Sequence, residues 1–171
     1  MVTRRVKLAS VAVLAALIAS LAAAPAAPAA TSPQRKVPFG FMGVLAGAPL
    51  AEPGYTHTRA EVTKMAGAGV ESVRFAFYWS HAQPDGPFVT RFTRTDRIVA
   101  AAARAHIWVL PTVLGAPRWA RQVAAHPSSR PRDPEDYARF MGALVDRYGP
   151  QGTFWEARRD LPRRPIRIWQ V

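Results

Sequence analysis

The stretch Gly69-Val70-Glu71-Ser72-Val73-Arg74-Phe75-Ala76-Phe77-Tyr78-Trp79 decides the fold. β-Branched and aromatic residues crowd Val70 to Trp79, directly after Gly67 and Gly69, two residues suited to end a helix. The stretch therefore reads as a strand that follows a helix. Alternation sends Val73, Phe75 and Phe77 to one face and Arg74, Ala76 and Tyr78 to the other.

Upstream, Val62, Met65 and Ala66 share one helical face. Thr58 with Glu61 three residues on has the form of a capping box that opens that helix. Before it, Phe39 to Leu45 is a short apolar run in which Gly40 and Gly43 allow close backbone approach, so a first strand is predicted there. Downstream, Pro84-Asp85-Gly86 makes a turn, Thr93 or Thr95 caps a helix running to about Ala105, and Ile107 to Val113 forms a third strand. A long Pro/Arg/Ser-rich connection, Gly115 to Arg132, leads to a helix from Pro134 to Tyr148. Asp133 is its cap, Pro134 its first residue, and Gly149-Pro150 its stop. Gln151 to Pro165 reads as another loop, feeding a predicted fourth strand over Ile166 to Val171. Four strands separated by three helices predict an α/β chain with a parallel sheet.

The first 29 residues read differently from the rest. Arg4, Arg5 and Lys7 precede an uncharged Ala/Leu/Val/Ile stretch, Leu8 to Ala24, and Ala27-Pro28-Ala29 offers small residues for cleavage. Residues 1–29 are read as a signal peptide and 30–38 as a polar leader. An uncleaved anchor is the alternative, because the apolar stretch is near the lower length limit for a spanning helix. The chain contains no cysteine, so neither a disulfide nor a thiolate metal site is available to a secreted product.

Of the formal net charge of +12, +9 survives removal of the three basic residues in that segment. Twenty of the 23 basic residues are arginine, spread along a chain also rich in Ala and Pro, which argues for compositional bias over a nucleic-acid footprint. His57, His81, His106 and His126 lack the spacing of a metal cluster, and Gly40-Phe41-Met42-Gly43 lacks the glycine pattern and lysine of a phosphate loop. The reading therefore includes no metal, no cofactor and no nucleic-acid partner.

Three stretches carry a resemblance. They are Gly69 to Phe75, then Trp79-Ser80-His81-Ala82-Gln83-Pro84, then Pro117-Arg118-Trp119-Ala120. With Tyr148 to Trp155 and Arg164 to Val171, they resemble the clan A glycoside hydrolases, particularly the family-5-like and family-39-like extracellular members. The resemblance runs from about Val37 to Val171. It implies a (β/α)8 TIM barrel truncated after strand four, with residues 39–171 as its N-terminal half, in a secreted retaining enzyme hydrolysing O-glycosidic bonds of a poly- or oligosaccharide. In that family the acid/base Glu comes just after strand four and the nucleophile Glu on strand seven, so the resemblance places both beyond Val171. Retaining hydrolysis needs two carboxyl groups about 5–5.5 Å apart. No catalytic residue is therefore assigned within the chain, and no catalysis is expected of it alone.

The resemblance also assigns substrate-side residues. Arg74 would point inward and orient the nucleophile carboxylate, with a strand arginine reaching solvent as the alternative. Trp79 and Trp119 follow strands two and three, where flat rings can stack on sugar C–H surfaces. His81 lies in a loop on the same side. Glu52 and Asp85 read as solvated loop carboxylates. Two other functions stay open: a non-catalytic carbohydrate-binding protein using Trp79 and Trp119, and a basic surface-binding protein acting through Arg158, Arg159, Arg163 and Arg164. Exposed sheet edges predict self-association unless another chain covers them.

Overall fold

A computed structural model describes residues 36–47, Leu50 and residues 56–171, and Val37–Val171 form one packing unit. The predicted signal peptide, most of the leader, and Glu52 lie outside the described residues. No helix among the described residues is long and apolar enough to cross a membrane.

In chain order the elements are β1 (Gly43–Leu45), α1 (Thr58–Gly67), β2 (Ser72–Tyr78), α2 (Trp79–Ala82), α3 (Thr93–Arg104), β3 (Trp108–Leu114), α4 (Pro134–Tyr148) and α5 (Thr153–Ala157). The three strands form one parallel sheet in the order β1-β2-β3. Register pairs Val44 with Val73 and Leu45 with Arg74, then Arg74 with Leu110, Phe75 with Pro111 and Tyr78 with Leu114. Gly43 lets β1 lie close to β2, since a Cβ there would come within 2.5 Å of Ser72 Oγ and displace that hydroxyl.

The alternation along β2 holds in full: Val73, Phe75 and Phe77 are buried, while Ser72, Arg74, Ala76 and Tyr78 are only partly covered. The buried row faces the helices, where Phe77 meets Tyr148 of α4 edge-on at 6.1 Å. Helix α3 contributes an almost wholly buried face, Ile98 to Ala103, whose small alanines let it lie close to its neighbours. Helix α4 starts as its sequence dictates: Asp133 Oδ1 accepts from Glu135 N at 2.9 Å and Pro134 occupies the first turn. Helix α1 does not, since its cap is His57, with no side-chain capping bond. Thr58 is instead a buried first residue whose hydroxyl donates to Leu50 O, and Glu61 pairs with Lys64 at 3.0 Å.

The sheet corrects the expected fold class. It is a small, open, three-stranded sheet, and nothing in it closes toward a (β/α)8 TIM barrel. The predicted fourth strand is absent as a strand. Residues 166–171 make a single bridge, Thr112 with Gln170, through Gln170 N to Pro111 O and Val113 N to Gln170 O, both 2.9 Å or shorter. The reason lies in β3. Trp108 N donates toward β2, at Glu71 O, whereas Val113 N donates toward the outer edge. Alternation therefore turns the N of residue 111 to the outer edge too, and residue 111 is proline, with no N–H to give. The next rung of the ladder, toward Ile168, therefore lacks one of its two hydrogen bonds, and among the described residues β3 lies at the edge of the sheet.

A second network fastens α3 to α4. Asp96 accepts two bonds from Arg147, at 3.1 and 2.7 Å, and one from Tyr148 Oη at 2.7 Å; Tyr148 Oη also lies 2.5 Å from Thr95 Oγ1. Arg147 stands over the rings of Phe92 and Phe154 at 5.3 and 5.7 Å. Burial, with the Asp96 carboxylate beside it, pushes the Tyr148 hydroxyl far above the usual phenol range.

Candidate functional site

Parallel strands deliver their C-terminal ends to one side of a sheet, so the segments leaving Tyr78 and Leu114 are where a site would be built. The chain turns there into α2 after β2, and into Gly115 to Ala120 after β3. Gly115 has a φ of 74°, and a Cβ on it would press within 3.2 Å of the Tyr78 ring. Ser80 N donates to Gly115 O at 2.8 Å, which ties the two segments together.

The four residues singled out in the sequence occupy three different environments. Trp79 is 1% exposed. Its ring stacks on Phe140 at 5.6 Å, with Tyr137 at 5.5 Å and Trp119 edge-on at 5.6 Å, so its faces are covered by protein. It begins a short helix and serves as a core residue. Trp119 is half-buried; its indole N–H donates to Gln83 O at 2.8 Å, leaving part of its ring at the surface. His81 is also half-buried, 4.9 Å from the Tyr78 ring, on a pocket bounded by Arg91, Arg94 and Thr95. Arg74 lies lower on β2, on the partly covered face between Leu45 and Leu110, and its Nε is buried with no hydrogen-bond partner.

Sequence reasoning passed over the residue that organises this region. Gln83, 4% exposed, accepts from Trp79 Nε1 at 2.6 Å and donates to Thr90 Oγ1 at 2.8 Å and Pro87 O at 3.1 Å, while its main-chain oxygen receives Trp119. One buried residue thus fixes both tryptophans, Trp79 through its side-chain amide and Trp119 through its main-chain oxygen, together with the following turn. The available signal was its position four residues after Trp79, which brings the two side chains together on a helical turn. Tyr137 adds a bond to Val113 O at 3.1 Å, and burial raises its hydroxyl above the ordinary value.

Among the described residues the acidic side chains do not gather at this end. Asp85 pairs with Arg91, Asp96 with Arg147, Asp136 with Arg139, Asp160 with Arg158 and Arg104, and Glu61 with Lys64. Glu71 Oε2 accepts from Gly40 N and Met42 N, and Asp133 caps α4. The remainder, Glu135, Asp146 and Glu156, sit on helices α4 and α5. Among the described residues no group of three or more His, Cys, Asp or Glu could hold a metal ion.

The arginines proposed for a polyanion surface are largely engaged inside the molecule. Arg158 makes two 2.8 Å bonds to Asp160, holding that carboxyl below its usual range; Arg163 donates to Pro150 O. Arg164 stands over Trp108 at 4.9 Å and Phe39 at 5.4 Å, 3.2 Å from His106 Nδ1. No protein-family model matches the chain, and no curated protein matches it.

Proposed function

We propose that this chain takes part in carbohydrate recognition as a sugar-facing portion of a secreted glycoside hydrolase, and that it does not hydrolyse glycosides by itself. The observation that carries the reading is the cluster at the C-terminal strand ends. His81 lies against the Tyr78 ring after β2, a partly exposed Trp119 is held to Gln83 O after β3, and Asp85, the acidic residue in the segment after β2, is paired with Arg91. A ring beside hydrogen-bonding side chains suits a sugar, which has both apolar C–H faces and hydroxyls. Among the described residues no pair of carboxylates stands at those strand ends, which favours binding over bond cleavage. The reading does not require a closed barrel.

The test has two arms. The purified chain is expected to release no aryl alcohol from aryl-glycosides above the rate of buffer; efficient turnover would reveal a carboxylate pair and end the inactive-portion claim. Titration with mixed β-linked oligosaccharides should shift tryptophan emission, and the shift should be lost in Trp119→Ala and weakened in His81→Ala. An unchanged response in both variants would remove the strand-end cluster as the sugar site.

A further inference from the structure

The partly covered face of the sheet carries a trough that carbohydrate recognition leaves unused. One part, about 470 Å³, is walled by Phe39, Trp108, Leu110, Ile168 and Arg167. A second, about 290 Å³, is walled by Leu45, Arg74 and again Leu110. Ser72 and Leu110 line both, so the two hollows adjoin across one row of side chains and a single molecule can occupy both. Volumes of a few hundred Å³ with mostly apolar walls and a few polar groups are typical of small-molecule sites.

The charge along this trough is one-sided. The guanidinium of Arg74 makes no hydrogen bond among the described residues, and its Nε is shielded from water as well. Arg167, exposed at the other end, likewise has no ion-pair partner among them. Glu71, the neighbour of Ser72 in the chain, has its carboxylate taken up by the backbone amides of Gly40 and Met42 at 2.8 and 3.4 Å. A partly desolvated cation without an acceptor is unfavourable, and an anion brought to its open end relieves that cost. The walls require the rest of the molecule to be apolar. Sugar hydroxyls laid against Leu110, Ile168 and Phe39 would give up water without gaining partners, and Arg164 already lies against the Trp108 and Phe39 rings.

We propose that this trough binds an amphipathic monocarboxylate, with its aliphatic chain along Leu110 and Ile168 and its carboxylate held by Arg74. The site is separate from the strand-end cluster and stands or falls independently of sugar binding.

The experiment is calorimetric titration of the 171-residue chain with decanoate, below the concentration at which it forms micelles, beside decanol as the uncharged counterpart. Decanoate is expected to bind at least about tenfold more tightly than decanol. Arg74→Leu should bring decanoate down to the decanol level, leave decanol within about twofold, and leave the thermal midpoint undiminished, because it removes an unsatisfied cation. Equal affinity for the two ligands in the unaltered chain, no binding of decanoate, or full retention of the preference in Arg74→Leu would each overturn the proposal. Should Arg74→Leu not fold, Leu110→Glu supplies the second test. It sets a carboxylate at the register partner of Arg74 and should abolish decanoate binding; undiminished binding there refutes the assignment.

Discussion

The two faces of β2 take alternate residues of one seven-residue strand and share its backbone hydrogen bonds, yet they meet opposite surroundings. On one face Val73, Phe75 and Phe77 are at most 1% exposed under helices bearing Phe140, Leu144 and Tyr148. On the other, Arg74 lies between Leu45 and Leu110 with no hydrogen-bond partner among the described residues, and Leu45 remains 66% exposed. Stability thus resides on the helix-covered face, and unsatisfied chemistry on the other. The contrast shows where binding can be sought: a surface already saturated with contacts has little left to offer a ligand.

The largest test of this contrast is Trp79→Ala. The change removes a stacked ring and leaves the Gln83 amide oxygen without its donor, and a buried Trp→Ala change costs about 3–5 kcal/mol. Equilibrium urea denaturation should show a loss of that size; a loss below about 1 kcal/mol would mean that Trp79 is not a core residue. Next comes Asp96→Ala, which leaves Arg147 and Tyr148 without their shared acceptor. Because Asp96 and Arg147 are each about a quarter exposed, solvent moderates the effect to about 2 kcal/mol, measurable by the same denaturation.

Alkaline pH probes the same network. Tyr148 is held protonated in the folded chain well above the range in which an unfolded tyrosine, near 10, ionises. Its contribution is therefore fully present below about pH 10 and is lost as pH rises beyond it, because the unfolded chain then gives up a proton that the folded chain retains. Thermal midpoints should fall steeply between about pH 10 and 11. Tyr148→Phe should be less stable at neutral pH and show a shallower alkaline decline, with the half-buried Tyr137 contributing to what remains. Equal slopes in the two proteins would separate Tyr148 from the effect.

Much of this arrangement was legible in the chain. The period of two over Val70 to Trp79 gave both the strand and its buried face, and Asp133-Pro134 with Gly149-Pro150 marked α4 to the residue. These signals are local, since they depend on neighbours two to four positions away. The number of strands was not legible in the same way. An apolar run at 166–171 looks like a strand, but pairing depends on which N–H groups the adjacent strand presents, and that is set by register. Pro111 was visible; the direction its missing N–H would face was not. Trp79 and Trp119 posed a similar difficulty. Position after a strand suggested exposed platforms, whereas the ring contacts that bury Trp79 come from α4, some sixty residues later in the chain. That His81 and Trp119 follow the ends of β2 and β3 came from chain order, but the Gln83 bonds that hold Trp79 and Trp119 required the fold.

Pro111→Thr asks whether the edge is made by one missing donor. Restoring an N–H should extend pairing from Gln170 toward Ile168, seen as slower hydrogen exchange at residue 168 and a protected new amide at residue 111, with stability moving by no more than about 1 kcal/mol. Unchanged exchange at 168 with an unprotected amide at 111 would place the cause of the truncated ladder in the 166–171 segment itself.

The smallest effect belongs to the partly covered face. Leu45→Ser removes an apolar side chain that the folded chain leaves mostly in water, so it gives up little burial, and surface changes of this kind stay within about 0.5 kcal/mol. The same exchange at Phe77, on the other face of the sheet, should cost several kcal/mol, because it removes a buried ring and introduces a hydroxyl with no assigned acceptor. The ratio of the two losses measures how differently the faces are loaded. If Leu45→Ser instead costs more than about 1.5 kcal/mol, with a concentration-dependent thermal midpoint, Leu45 is covered in solution by a second copy of the chain. The trough beside it would then be part of an interface, and Arg74 would have to find its anion across that contact.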